Sequence, residues 1–130
     1  MNNLTWHCNL ILQNDEEYVG VVDCLRNHVM NRIYHDHNGH AFTDQKKIRI
    51  YVLAKFLRAY IEEITDFENE NSYHSPMTCE LILGALQEID FRSIAEDLIG
   101  DYSQKTAEEV AESEEYFNIM GFANYDIDEE

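Results

Sequence analysis

The helical pattern of this chain is clearest in DQKKIRIYVLAKFLRAYIEEI, residues 44–64. Apolar side chains return there every three or four residues, which is the spacing of one buried stripe on an amphipathic helix. Three basic residues, Lys47, Lys55 and Arg58, fall close to one face at 3.6 residues per turn. The sequence therefore predicts a helix over this stretch with a positively charged face.

Helices are predicted on both sides of this stretch. Before it, apolar side chains recur at helical spacing over about residues 15–34, after an acidic start that suits the positive end of a helix dipole. Beyond it, Ser75 and Pro76 have the form of an N-cap followed by proline at the first helical position. Thr106 with Glu109 matches a capping box. The three helices of the second half are accordingly predicted at about 76–88, at about 91–103 and from Thr106 onward.

The first residues have a different pattern. Trp6, Cys8, Leu10 and Leu12 alternate with other residues, which is the period of a half-buried strand. A single strand has no partner in an otherwise helical chain. Residues 1–13 are therefore predicted to form an extended arm that lies on the helices or pairs with its counterpart in a dimer.

Length and composition predict one domain. A chain of 130 residues with 45% hydrophobic residues can bury a single core. The predicted fold is mainly α, a compact bundle of four to five helices with an extended N-terminal arm or single strand. The acidic tail, about residues 113–130, also contains several aromatic side chains. Part of this tail is therefore expected to dock on the bundle.

The sequence favours a cytoplasmic location. The first residues lack a basic region followed by an apolar run, and no stretch approaches the roughly 18 apolar residues of a membrane span. Cys8, Cys24 and Cys79 lie among apolar neighbours, without the spacing of a disulfide framework or a zinc ribbon. We therefore expect three reduced cysteines and no membrane association.

The net charge of −17 is unevenly distributed along the chain. Residues 1–60 contain six acidic and seven basic residues, whereas residues 61–130 contain twenty acidic residues and only Arg92 and Lys105 as bases. The first part is thus nearly neutral, and the second is strongly negative. Such a surface repels nucleic acid phosphates, so direct binding to nucleic acid is not expected. A basic surface on another protein is the more natural partner.

The acidic side chains of the predicted helices are the main candidate site. Several of them are one or two helical turns apart, where neighbouring carboxylates are about 5–6 Å distant. A row of this kind imitates the regular spacing of backbone phosphates. The alternatives are an acidic face that only keeps the protein soluble and one that associates with divalent ions. The candidate partner-binding residues are Glu80, Glu88, Glu96, Asp97, Asp101, Glu108, Glu109 and Glu112.

A weaker candidate is the histidine-rich turn after the second predicted helix. His35, His37 and His40 form H-x-H-x-x-H beside Asp36, and imidazole with carboxylate is a donor set for zinc or another divalent ion. No thiol accompanies them, and Gly39 is typical of an exposed turn. An exposed polar turn is therefore the preferred interpretation, and no cofactor is predicted.

No catalytic motif is recognised in the sequence. It contains no glycine-rich phosphate loop, no nucleophile elbow and no HExxH helix. Adjacent acidic pairs such as Glu62 and Glu63 point about 100° apart on a helix and do not share one site. The sequence therefore predicts a protein that is not an enzyme.

Two stretches resemble a group of small acidic phage-encoded proteins of uncharacterised function. The stretches are WHCNLILQNDE, residues 6–16, and LILGALQEIDFRSIAEDLI, residues 81–99. The first precedes a helix in that group, and the second is similar to its leucine- and alanine-rich pair of helices. The resemblance covers about a third of the chain and implies a phage or mobile-element origin without a specified activity.

The composition is also similar to that of phage DNA-mimic antirestriction proteins, which are short, helical and acidic and end in a carboxylate-rich tail. No motif is shared, so no functional residue is carried across. The basic helix at 46–58 departs from such mimics, because their surfaces are negative all round.

These observations lead to one main hypothesis and two alternatives. The main hypothesis is a non-enzymatic inhibitor or modulator of phage type, whose acidic half occupies a basic site on a host protein that handles nucleic acid or acts in defence. The first alternative is a structural or adaptor protein that self-associates, as a homodimer, through its N-terminal arm. The second is a protein that binds a metal ion through His35, His37 and His40.

Overall fold

A computed structural model describes residues 2–65 and 75–124, and this part of the chain is mainly helical, as predicted. No described residue belongs to a β-strand, and a single β-bridge between His35 and Ala41 closes the turn after the second helix. Within these residues there are six α-helices and one 3-10 helix: α1 (Asn3–Asn14), α2 (Glu16–Met30), α3 (Gln45–Thr65), α4 (Pro76–Glu88), α5 (Phe91–Gly100), α6 (Ala107–Ile119) and the 3-10 helix (Phe122–Asn124).

The prediction of an extended N-terminal arm or strand is wrong, because residues 3–14 form α1. The side chain of Asn2 caps this helix and accepts a hydrogen bond from the Thr5 backbone N–H at 2.8 Å. The buried positions are Thr5, Asn9 and Leu12, which are spaced for one helical face rather than for a strand. The additional helix also explains why six helices are found where four to five were expected.

Two hydrogen bonds, each between residues far apart in sequence, connect helix α1 to α5. The Thr5 hydroxyl oxygen accepts a hydrogen bond from the Asp90 backbone N–H at 2.9 Å. The Asn9 side-chain amide donates to the Asp97 carboxylate at 2.9 Å. Both polar residues on the buried face of α1 are therefore hydrogen-bonded, as burial of polar groups requires.

The core forms around α3, which packs on α2, α4 and α5. Each fully buried leucine or isoleucine contributes about 1.5–3 kcal/mol relative to an exposed one. Side chains with no more than 2% of their surface exposed include Leu25, Val29, Leu53, Leu57, Ile94 and Leu98.

Helix α6 packs on α2. Phe117 and Phe122 of the acidic tail are 3% and 1% exposed, and their rings lie 5.5 Å apart. Gly121 follows the C-cap of α6 with a φ of 80°, a conformation that favours glycine and turns the chain into the 3-10 helix. Residues 125–130 of the predicted tail lie outside the described residues.

Two predicted helix starts are confirmed at the level of hydrogen bonds. Ser75 caps α4 by accepting from the Thr78 backbone N–H, and Pro76 occupies the first helical position. Thr106 and Glu109 make both hydrogen bonds of the capping box at the start of α6. Residues 66–74, between α3 and α4, lie outside the described residues.

None of the described helices is both long enough and apolar enough to cross a membrane.

Candidate functional site

The eight acidic candidate residues are all exposed, but they lie on three separate helices. Helix α4 packs on α1 and α3, whereas α6 packs on α2 and the 3-10 helix. The acidic positions therefore do not follow one another along a single pair of packed helices. Glu80 and Glu88 lie on α4, Glu96 and Asp97 on α5 with Asp101 at its C-cap, and Glu108, Glu109 and Glu112 on α6.

Some of these carboxylates already have partners within the chain. Asp97 accepts from Asn9, as described above, and the Glu96 carboxylate lies 3.6 Å from the Arg92 guanidinium Nε. Glu109 closes the capping box of α6. These three carboxylates stabilise or connect helices, so they are less available to bind a partner protein.

Helix α6 has the densest row of carboxylates. Its sequence, AEEVAESEEYFNI, contains five acidic residues and no basic one. Glu108, Glu112 and Glu115 are exposed and spaced by four and three residues, so they occupy one face at about 5–6 Å intervals. Glu115 lies in the C-terminal half, where the helix dipole disfavours negative charge. Glu115 was not among the eight candidates because the sequence did not place it on a helix.

Glu114, on the opposite side of α6, belongs to a half-buried cluster with α2. Its two carboxylate oxygens lie 2.9 and 3.1 Å from the His28 Nδ1, and the Arg32 Nη2 lies 3.5 Å away. The His28 ring stacks on Phe117 with a centroid distance of 3.7 Å and meets Phe56 edge to face. This cluster joins α2 to α6.

The pKa of His28 is lowered from its ordinary value of 6.5. Burial is the main cause, because it disfavours the charged imidazolium, and the Arg32 guanidinium acts in the same direction. The Glu114 carboxylate opposes both without outweighing them. His28 therefore favours the neutral form more than a solvent-exposed histidine does.

A polar cleft of about 520 Å³ opens between α2 and α6. The charged residues that line this cleft include Asp23, Glu112 and Lys105. The Asp23 carboxylate also forms an ion pair with the Arg26 guanidinium at 2.6 Å. The sequence alone gives no sign of this cleft, since its two walls are about 90 residues apart in the chain. The lining residues from α2 are Gly20, Asp23, Cys24 and Asn27, and those from the second wall are Lys105, Glu109, Glu112, Ser113 and Tyr116.

Asn27 is the unusual residue of this cleft. It is 8% exposed, and its side-chain Nδ2 donates to the Ser113 hydroxyl at 3.4 Å. The side-chain oxygen, Oδ1, is buried and has no hydrogen-bond partner among the described residues. Most buried polar atoms are paired, so such an oxygen requires an explanation.

The histidine-rich turn has a different organisation from a metal site. The Asp36 carboxylate accepts hydrogen bonds from the backbone N–H groups of Asn38 and His40, at 2.9 and 3.0 Å. Asp36 thus holds the turn, and Gly39 adopts a φ of 82° within it. Residues 2–65 and 75–124 contain no group of three His, Cys, Asp or Glu side chains arranged to hold a metal ion. The structure therefore does not bring His35, His37 and His40 together as a ligand set.

The basic face predicted on α3 is exposed at Lys47, Lys55 and Arg58. The Lys55 ammonium lies 5.4 Å from the centroid of the Tyr51 ring, and Arg58 pairs with Glu62 at 2.9 Å. A small cavity of about 120 Å³ lies between α3 and α5 beside this face. Its lining residues are Lys47, Ile48, Tyr51, Ala54 and Arg92.

All three cysteines are free, as predicted. Burial raises the pKa of the Cys8 thiol to about 11, and it also raises the pKa of Cys24, whose sulfur donates to the Ser113 carbonyl oxygen at 3.1 Å. The thiolate is the reactive form of cysteine. Neither thiol is therefore activated as a nucleophile at neutral pH.

The chain matches no protein-family model, no curated protein and no solved structure in the comparisons made with each.

Proposed function

We propose that this protein is a non-enzymatic inhibitor or modulator of phage type, which binds a basic site on a host protein through the acidic surface of its second half. The observation that carries the proposal is the exposed face of α6, where Glu108, Glu112 and Glu115 follow one another without a basic residue on the helix. The basic site belongs to a protein that handles nucleic acid or acts in defence.

Like-charge spacing is the main physical support. Two carboxylates one turn apart destabilise a helix by about 0.2–0.5 kcal/mol, and a negative charge near the C-terminus adds a similar cost. Helix α6 has both features, because Glu108 precedes Glu112 by four residues and Glu115 lies near its end. An oppositely charged partner removes these costs on binding.

The proposal predicts capture of a protein that nucleic acid can displace. The protein, immobilised and exposed to bacterial lysate at low salt, is expected to retain a basic protein that a salt step releases. Duplex DNA added in excess should compete for that protein, because both ligands present rows of negative charge to the same site. Retention that neither salt nor DNA reduces would contradict the proposal.

Charge variants distinguish binding through the acidic face of α6 from a general effect of the protein's net charge. Glu108→Gln, Glu112→Gln and Glu115→Gln together remove three negative charges from α6. Asn3→Lys, Asn38→Lys and Thr43→Lys change the net charge by the same amount at exposed positions of the first half. Capture is expected to be lost in the first variant and kept in the second. Equal loss in both would assign the binding to net charge alone.

The alternative function, self-association through the N-terminal segment, is supported by the surface of α1. This helix contains no Asp, Glu, Lys or Arg, although the chain has a net charge of −17. Trp6 and Ile11 are each 51% exposed on it, and an apolar groove of about 230 Å³ lies beside Ile11. A surface without charged side chains is where two strongly acidic copies repel each other least.

Sedimentation velocity tests this alternative. Removal of residues 1–13 would disturb the fold itself, since Leu12 is 2% exposed and belongs to the core. Trp6→Gln with Ile11→Gln should instead convert a dimer into a monomer, while Ile119→Gln, at an apolar position 75% exposed on α6, should leave it intact. A wild-type protein that sediments as a monomer at all concentrations would refute self-association.

A further inference from the structure

The cavity between α3 and α5 has apolar walls and a positively charged border. Ile48, Tyr51 and Ala54 of α3 form its walls. Lys47 and Arg92 also line it, and both residues are exposed, so they border its opening to solvent. The packing of α5 on α3 therefore brings two cations, far apart in sequence, to one apolar cavity.

The sign of the charge at this cavity is opposite to that of the whole molecule. The chain contains 26 acidic and nine basic residues, yet the described residues that line the cavity include two bases and no carboxylate. A third base is close, because the Lys55 ammonium lies 5.4 Å from the centroid of the Tyr51 ring. Cations gathered around one cavity repel one another, and a bound anion removes this repulsion.

The two lining cations are available to such an anion. Lys47 has no ion pair within residues 2–65 and 75–124. The Arg92 Nε lies 3.6 Å from the Glu96 carboxylate, and both side chains are more than half exposed. An exposed pair of this kind contributes little to stability, so an anion in the cavity can compete with Glu96 for the guanidinium.

The volume of the cavity limits the apolar part of a ligand. A cavity of about 150 Å³ with apolar walls is large enough to hold a benzene molecule. This cavity, at about 120 Å³, accommodates most of one six-membered ring whose substituent projects through the opening. The Tyr51 wall favours an aromatic ring, because aromatic pairs attract each other beyond the effect of the buried area.

We propose that this cavity binds a small aromatic carboxylate, with its ring against Tyr51 and its carboxylate at Lys47 and Arg92. A guanidinium pairs with both oxygens of a carboxylate, and the flexible stem of lysine allows its ammonium to reach the same group. The inference goes beyond the proposed function, because it concerns the basic face of α3 rather than the acidic face of α6.

Benzoate provides a direct probe. It is titrated into the full-length protein at constant ionic strength, and binding is followed by ¹H–¹⁵N NMR. Saturable shifts are expected at the backbone amides of Ile48, Tyr51 and Ala54, with a dissociation constant on the order of 1 mM for so small a ligand. Benzamide keeps the ring but lacks the charge, and acetate keeps the charge but lacks the ring. Each should bind at least about tenfold more weakly than benzoate.

Two neighbouring lysines form the matched comparison. Lys47→Gln removes a cation that lines the cavity, and Lys46→Gln removes an exposed cation of the same helix that is not among the lining residues. Benzoate binding should weaken about tenfold in the first and change less than about twofold in the second. Arg92→Gln should weaken binding as Lys47→Gln does.

A further variant, Ala54→Leu, fills the cavity without a change of charge. It should abolish benzoate binding while the circular dichroism spectrum and melting temperature stay at wild-type values or the melting temperature rises, because the added atoms occupy free space. The proposal would be overturned by equal weakening in Lys46→Gln and Lys47→Gln, by equal binding of benzamide or acetate, or by no saturable shift at about 10 mM benzoate.

The α6 triple glutamine variant separates this site from the proposed function. It keeps every lining residue of the cavity and should therefore bind benzoate within about twofold of the wild type. Benzoate binding without salt-sensitive capture of a host protein would support the cavity site and contradict the proposed function. Capture without benzoate binding would refute the cavity site alone.

Discussion

At the scale of single residues, His28 is expected to make stability depend on pH. Its pKa is lowered in the folded protein, so near pH 6 the unfolded chain binds more protons than the folded one. This contribution to stability is therefore complete above the unfolded pKa of 6.5 and is lost as the pH falls through the folded pKa.

The measurement compares urea midpoints of wild type and His28→Gln at pH 7.5 and pH 5.5. Glutamine keeps a hydrogen-bonding group beside Glu114 but does not titrate. The wild type should lose more stability than the variant between these two conditions. Because the comparison is between two proteins, the titration of the many surface carboxylates cancels. Equal losses would show that His28 does not titrate in this range.

Phe117 illustrates how one aromatic ring fixes α6 to the core. It is 3% exposed and lies 3.7 Å from the His28 ring and 5.6 Å from the Phe56 ring, measured between centroids. Phe117→Ala is expected to lower the free energy of unfolding by about 3–5 kcal/mol. Ile119→Ala, two positions along the same helix but 75% exposed, should change it by no more than about 0.5 kcal/mol.

At the scale of the helices, the capping box of α6 gives a quantitative test. The Thr106 hydroxyl accepts a hydrogen bond from the Glu109 backbone N–H at 3.2 Å, and the Glu109 carboxylate accepts one from the Thr106 backbone N–H at 3.4 Å. Thr106→Ala should therefore destabilise the protein by about 1 kcal/mol in urea unfolding. Glu109→Gln preserves the reciprocal hydrogen bond and is expected to cost clearly less.

The helices that the sequence predicted well are those whose signals are local. Ser75 with Pro76 and Thr106 with Glu109 act within four residues, so their hydrogen bonds follow from the order of the residues alone. The same holds for α3, whose buried stripe from Ile48 to Ile61 extends over about four turns of one helix. Such features need no knowledge of the remaining chain.

The N-terminal helix was missed because its buried face is partly polar. Thr5 and Asn9 are buried on α1, and their partners, Asp90 and Asp97, lie more than 80 residues away. Without these partners, the apolar residues of the segment fit an alternating strand pattern better than a helical stripe. A single sequence does not show which distant residues form hydrogen bonds with buried polar side chains.

The candidate site was predicted only in its charge. Of the five acidic residues of α6, only Glu108, Glu109 and Glu112 were predicted as candidates, and the cleft is also lined by Gly20 and Asn27, whose sequence neighbours give no functional signal. His28 likewise meets Glu114 across 86 positions of sequence. Contacts of this kind arise from the packing of α6 on α2, which the periodicity of either helix alone does not determine.

At the scale of the whole molecule, charge opposes folding. The chain has a net charge of −17, and α6 alone contains five carboxylates. Mutual repulsion of like charges favours expanded states, whereas apolar burial around α3 opposes this expansion. The balance between these two effects should respond to the salt concentration.

A melting experiment at two salt concentrations measures this balance. It also tests whether the carboxylates of the acidic face destabilise the folded protein. Raising sodium chloride from 0.01 M to 1 M shortens the Debye length from about 30 Å to about 3 Å, so the melting temperature should rise by about 3–6 °C. Glu108→Gln with Glu112→Gln and Glu115→Gln, which changes the net charge from −17 to −14, should melt higher at low salt and gain less from added salt. If the variant melts no higher than wild type, the row of carboxylates has no cost for folding. An acidic face that only solvates the protein would then account for it, without a basic partner.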